Sequence, residues 1–189
     1  MATDAELLAN ARGGDQGAFT ALVERHHGAL VRVARTFVTS RAEAEDVAQD
    51  TWLAVLRGLE GFEGRSSFRT WLFAILANRA RTTAYKARRA EPAVDPDRFD
   101  TAGGWVEPPR LWTDAVDDRL DAASLAPRVR AAIIELPEVQ QQVITLRDVE
   151  GLDAAAVCDL LKLTEGNQRV LLHRARAKVR SAIEREMAP

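Results

Sequence analysis

The sequence predicts an all-α protein built as two small helical domains joined by an acidic linker containing proline and glycine. Three observations lead there. Apolar residues on both sides of the middle recur at three- and four-residue steps, and no stretch alternates for long enough to demand a strand. Between them, "EPAVDPDRFDTAGGWVEPPRLWTDAVDD" holds Pro92, Pro96, Pro108, Pro109 and a Gly103-Gly104 pair, with neither period sustained. The charges are segregated in the same way, so the formal total of −2 hides their arrangement. The expected divisions are a helical domain at 1–90, a linker at 91–126 and a second helical domain at 127–189.

In the first domain Phe19, Leu22, Val23, His26, Leu30, Val33, Ala34 and Phe37 share one helical face. Ala44 to Leu56, "AEDVAQDTWLAVL", forms a second helix whose early acids suit its N-terminal dipole and whose Val47, Thr51, Ala54 and Val55 are available for the core. The glycines of "RGLEGFEGRSS" predict a loop carrying Phe62. A third helix runs from Phe68 to about Arg88, with Trp71, Leu72, Ile75 and Leu76 inward.

Beyond the linker, "PRVRAAIIELP" ends at Pro137, where a new helix can begin because proline suits a first turn. "EVQQQVITLRDVE" offers Val139, Val143, Ile144 and Leu146 to the core and stops at Gly151. Asp153 caps "AAAVCDLLK", and Thr164 caps a long helix after a tight turn. A helix, a short turn and a basic helix make up the helix-turn-helix plan.

Charge and composition narrow the function. Arg65 to Ala90 holds Arg65, Arg69, Arg79, Arg81, Lys86, Arg88 and Arg89 and no acid; the linker is acidic; the last helix carries Arg169, Arg174, Arg176, Lys178 and Arg180. Two basic surfaces on either side of an acidic tether suit a nucleic-acid binder, although each is also what a solvated helix face looks like. No apolar run approaches the roughly 20 residues of a membrane span, and the N-terminus lacks a basic start followed by an apolar stretch, so a cytoplasmic protein is expected. Cys158 is the single cysteine, which excludes an internal disulfide; its place in the scaffold helix suits buried packing. His173 lies far along the chain from His26 and His27, and no metal site is expected.

The segment Leu136–Arg180, "LPEVQQQVITLRDVEGLDAAAVCDLLKLTEGNQRVLLHRARAKVR", resembles the C-terminal domain of bacterial sigma factors of the extracytoplasmic-function type. Its Leu-Pro, apolar helix, Glu-Gly-Leu, scaffold helix and "LHRAR" follow that family's order. The first module, with "FTALVERHHGALVRVAR", "AEAEDVAQDTWLAVL" and "FEGRSSFRTWLFAILANRAR", is similar to the other conserved domain of these sigma-70 family factors. The resemblance spans Ala18 to Arg89 and Leu136 to Ile183, and it implies a region 2 bundle followed by a region 4 helix-turn-helix.

Such a factor is not an enzyme and needs no cofactor; it binds core RNA polymerase and directs initiation at a promoter class. The resemblance places Asp46, Gln49, Asp50 and Trp52 on the β′ clamp helices, with the β flap a further polymerase contact. It assigns the −10 element to Phe62, Arg65, Ser66, Arg69, Asn78, Arg79 and Arg81, on a loop and helix able to hold an unstacked base and its phosphates. It assigns the −35 element to Thr164, Asn167, Arg169, Val170, His173, Arg174 and Arg176, with Arg169 favoured for a guanine contact. An anti-sigma factor is a further implied partner. On the residues alone, Asp46 and Asp50 also fit a helix N-terminus, Trp52 and Trp71 also fit a core, and the acidic linker is either a mimic of RNA or a soluble spacer. Three positions depart from the family pattern: Lys162 where glycine is common, Gln168 where a β-branched residue is common, and Leu171 where a basic residue is common. Two other readings stay open: a stand-alone helix-turn-helix regulator, and a helical protein whose basic faces bind an acidic partner.

Overall fold

The computed structural model of the chain describes residues 2–90 and 126–187. The acidic linker, with Trp105, Trp112 and the Gly103-Gly104 pair, lies outside the described residues. Among the described residues every regular element is helical: α1 (Asp4–Arg12), α2 (Gln16–Ala34), α3 (Arg41–Gly58), α4 (Phe68–Ala90), α5 (Ala126–Ile134), α6 (Glu138–Ile144), α7 (Ala154–Leu161) and α8 (Glu165–Met187). α6 runs on into a π-helical turn, Thr145–Val149.

α1 was not anticipated from apolar spacing, because only Leu7 and Leu8 are buried in it. Its start is set by hydrogen bonding instead. The Thr3 hydroxyl accepts from the Glu6 amide at 3.3 Å while the Glu6 carboxylate accepts from the Thr3 amide at 2.7 Å, so two orphan donors are satisfied reciprocally. Donation from the Thr3 amide, and from the Thr3 hydroxyl at 3.0 Å, holds the Glu6 carboxyl below its usual range. The same device moves the start of α3 from the expected Ala44 back to Arg41: Ser40 and Glu43 form a second capping box. At Glu43 burial pushes the carboxyl pKa up, but hydrogen bonds from Ser40 and Thr39 outweigh it and the net shift is downward.

α2, α3 and α4 meet around Leu22, Leu30, Val33, Val55, Leu72, Phe73 and Leu76, all almost wholly buried. Each such side chain contributes about 1.5–3 kcal/mol relative to exposure. Ile75 and Trp71, expected inward, are half-buried, and Trp71 stacks at a tilt on Phe62 with ring centroids 4.8 Å apart.

In the second half Pro137 stands at the N-cap of α6, one residue ahead of the first turn expected for it. Val139 is exposed rather than in the core, while Gln140 and Gln142 are buried, so the inward face of α6 is rotated from the apolar reading. The π-helical turn then changes the phase again. Its closing bond runs from the Glu150 amide to the Thr145 carbonyl, five residues back, at 2.8 Å, and leaves the Glu150 side chain buried. Gly151 follows with φ +67°, a conformation that suits glycine. Asp153 caps α7 by accepting from the Ala156 amide at 2.7 Å, and Cys158 is buried as expected.

The two halves are not held apart. One apolar cluster joins Leu22, Leu30, Leu72 and Leu76 to Leu146, Leu152, Ala156, Val157 and Leu160, so α4 packs directly on α7. A second cluster, with Ala132, Leu136, Val143, Ile144, Leu172, Ala175 and Val179, belongs to the C-terminal half alone and seats α8.

Candidate nucleic-acid interface

Three helices present the residues singled out from sequence. On α3, Asp46, Gln49 and Asp50 are exposed on one face, since they fall within about one helical turn. Trp52 is not beside them: it is buried, edge-on to Phe19 at 5.9 Å between centroids, and belongs to the core rather than to an exposed anchor. Leu53 and Leu56, both more than half exposed, supply the apolar surface on this helix, a pair the sequence reading passed over.

The residues of the loop and α4 divide into four groups. Arg65 and Ser66 are exposed, with Arg65 near Glu63 at 3.2 Å. Asn78 is exposed and accepts from Arg81 at 3.1 Å, while Arg79 stands 3.6 Å from Asp50. Phe62 packs against Phe68 and Trp71 with the Arg12 guanidinium over its ring at 5.8 Å, so it braces the loop rather than projecting from it. Arg69 and Arg81, by contrast, reach across to the C-terminal half. Arg69 pairs with Glu150, and Arg81 donates to the Leu160 carbonyl at the end of α7, where the helix dipole favours a cation. Burial there lowers the Arg81 pKa from its ordinary value.

α8 is arranged differently. The Thr164 hydroxyl accepts from the Asn167 amide at 3.3 Å and caps the helix. Asn167, Arg169, Val170, His173 and Arg174 are all exposed, and Arg169 and Arg174 form no ion pair among the described residues. Side chains near a recognition-helix N-terminus are the ones that reach base edges in a major groove. Arg176 is engaged: its guanidinium makes a bidentate pair with Asp148, both distances 2.7 Å, and that hydrogen bond raises its pKa. The three departures have distinct consequences. Lys162 adopts the left-handed region at φ 57°, ψ 44°, which disfavours any residue with a Cβ. Gln168 is buried with its Nε2 unpartnered among the described residues, and Leu171 packs on the C-terminal core.

A further set of residues has no counterpart in the sequence reading. The Glu150 side chain, 1% exposed, receives Arg32 at 3.0 Å and also Arg69. Nearby, the buried Gln142 donates to the Thr36 carbonyl at 3.1 Å. Positions 32 and 150 are far apart in the chain, and the packing of the two halves on each other brings them together. His26 and His27 bond Asp4 and Glu45 at 2.9 and 3.1 Å, within the N-terminal half.

Comparison with known families matches this arrangement twice in chain order. Residues 22–90 match the sigma-70 region 2 model and residues 127–179 match the sigma-70 region 4 model. The chain is 29% identical over 187 residues to an ECF RNA polymerase sigma-E factor of Haemophilus influenzae, covering 96% of both proteins. The chain belongs to the sigma-70 family, in its extracytoplasmic-function group. Another relative of this sigma factor is the ECF RNA polymerase sigma-E factor of Escherichia coli K12, 27% identical over 96% of this chain and 95% of the relative. Among solved structures, CnrH in complex with the cytosolic domain of CnrY superposes with a TM-score of 0.59 at 28% identity, over 96% of this chain and 97% of that one. The sigma factor RpoE from Bartonella quintana, solved with the anti-sigma factor NepR, shares the fold at 21% identity, with a TM-score of 0.64 over 88% and 96% of the two chains. Among the described residues no helix is long and apolar enough to cross a membrane.

Proposed function

We infer that this sigma factor binds core RNA polymerase and directs initiation at one promoter class, with the exposed face of α3 on polymerase, the loop and α4 on the −10 element, and α8 on the −35 element. The supporting observation is the pairing, in one chain and in family order, of a region 2 module with a capped, exposed recognition helix. A helix-turn-helix alone would support only DNA binding; the region 2 module adds polymerase. In this reading residues 1–90 and 127–189 act as separate domains on a tether at 91–126, the protein works in the cytoplasm without catalysing a reaction, and an anti-sigma factor is a partner.

On α3, Asp46, Gln49 and Asp50 supply polar contacts and Leu53 and Leu56 supply buried area on docking. On α8, Arg169 reads a guanine edge, worth about 1–3 kcal/mol of discrimination, and Asn167, Val170, His173 and Arg174 flank it. The test is transcription in vitro by purified core polymerase on a pool of promoter fragments. Initiation that requires the added protein, is lost with Asp46→Ala/Gln49→Ala and is lost or redistributed with Arg169→Ala supports the reading. Specific duplex binding without initiation would make the chain a stand-alone regulator.

A further inference from the structure

Arg69 belongs to the set assigned to promoter DNA, yet here it faces a carboxylate of its own chain. Glu150 projects from the end of the π-helical turn, its side chain 1% exposed, and two cations from different helices meet it: Arg32 of α2 at 3.0 Å and Arg69 of α4. Both guanidiniums are only partly buried, with 51% and 39% of their side-chain surfaces exposed, whereas the acid is enclosed. The cations thus form a rim on the N-terminal half, and the C-terminal half fills it with one anion. A phosphodiester offers the same chemistry, a single negative charge shared over two oxygens at the reach of two guanidiniums.

We propose that Arg32 and Arg69 form a backbone-phosphate site for the promoter single strand, and that Glu150 occupies this site as an internal phosphate surrogate when the two halves are closed on each other. This rests on the sigma-factor reading. The closed contact has four parts: the Glu150 pairs, the Gln142 bond to the Thr36 carbonyl, the Arg81 bond to the Leu160 carbonyl, and the apolar seam of Leu146, Leu152, Val157 and Leu160. Two of the four consume arginines assigned to DNA. Closure and DNA binding therefore compete for the same donors, and a strand that takes Arg69 and Arg81 releases α7 from α4. Only the acid is enclosed, so removing the arginines leaves a buried carboxylate unpaired, whereas removing the acid leaves two part-exposed guanidiniums open to another anion.

The experiment uses the full chain and a fluorescent, short single-stranded oligonucleotide of randomised sequence. Wild type and Glu150→Gln are compared for affinity, for radius of gyration by small-angle scattering, and for thermal melting. The expected result is that Glu150→Gln binds roughly tenfold more tightly, the shift that 1.4 kcal/mol produces, with a larger radius and a retained melting transition. Equal affinity and an unchanged radius would overturn the latch. Should Glu150→Gln fail to melt cooperatively, Gln142→Ala is read in the same way: tighter binding supports the latch and unchanged binding overturns it. Adding Arg32→Ala to Glu150→Gln is expected to cut the dependence of log affinity on log salt by about 0.7, one phosphate contact on a single strand; an unchanged slope removes the phosphate site. Initiation by core polymerase with wild type serves as the separate arm. If initiation occurs and the oligonucleotide results are negative, only this proposal fails; if it does not occur, the sigma-factor reading fails.

Discussion

The two basic surfaces of this sigma factor look alike in sequence and differ in the folded chain. Around α4, Arg69 and Arg81 are spent on an acid and a carbonyl from the other half. On α8, Arg169 and Arg174 face outward without an ion pair among the described residues. A count of positive residues measures how much charge a surface can offer. Which charges are available is decided by packing, because a carboxylate held in the interior at a helix junction competes with a phosphate for the same donors.

The sharpest way to break the contrast is to weaken the seam that brings the halves together. Leu146 is 1% exposed in the cluster that both halves share, so Leu146→Ala is expected to lower the unfolding free energy by about 2–5 kcal/mol in a denaturant titration. Val170→Ala, on the open face of α8, should move it by less than about 0.5 kcal/mol. Next in size is Arg169→Ala, expected to cost about 1–3 kcal/mol of sequence discrimination in duplex competition binding while leaving the melting temperature in place. Lys162→Gly relieves the left-handed turn between α7 and α8 and should raise stability by about 1 kcal/mol, read from the same denaturant curves.

The smallest effect is the pH response of the caps. Hydrogen bonds from Ser40 and Thr39 hold the folded Glu43 carboxyl below its ordinary range, so its stabilising contribution is present above the unfolded pKa and lost as pH falls through the folded one. Glu43→Gln should therefore remove that contribution at neutral pH and flatten the acid limb of the stability curve below about pH 4.5, so that the variant lies below wild type at neutral pH and converges with it in acid.

The helices from α2 to α8 were legible because each carries a periodic apolar face or a recognisable cap, Asp153 and Thr164 among them. α1 escaped because a capping box, rather than apolar spacing, defines it. The face of α6 was misread at Val139 because Gln142 is buried to bond a carbonyl in the other half, a reason absent from local pattern. Trp52 was placed at the polymerase surface by the family resemblance, but two residues beyond Asp50 is about 200° around a helix, which turns it to the opposite, buried face. The exposure of Asn167, Arg169, Val170, His173 and Arg174 on α8 was legible, since one helix carries them all, whereas the pairing of Arg176 with Asp148 was not. Arg32 and Glu150 were not legible at all: nothing in sequence ties residues so far apart until α4 and α7 are packed.

Arginine-selective modification followed by mass spectrometry tests the contrast most directly, using the intact protein without DNA or polymerase. The account predicts that Arg69 and Arg81 react several-fold more slowly than Arg169 and Arg174, and that Glu150→Gln removes the protection of Arg69. Equal reaction of all four arginines in the wild-type protein would contradict it, and would place both basic surfaces open to solvent in the free sigma factor.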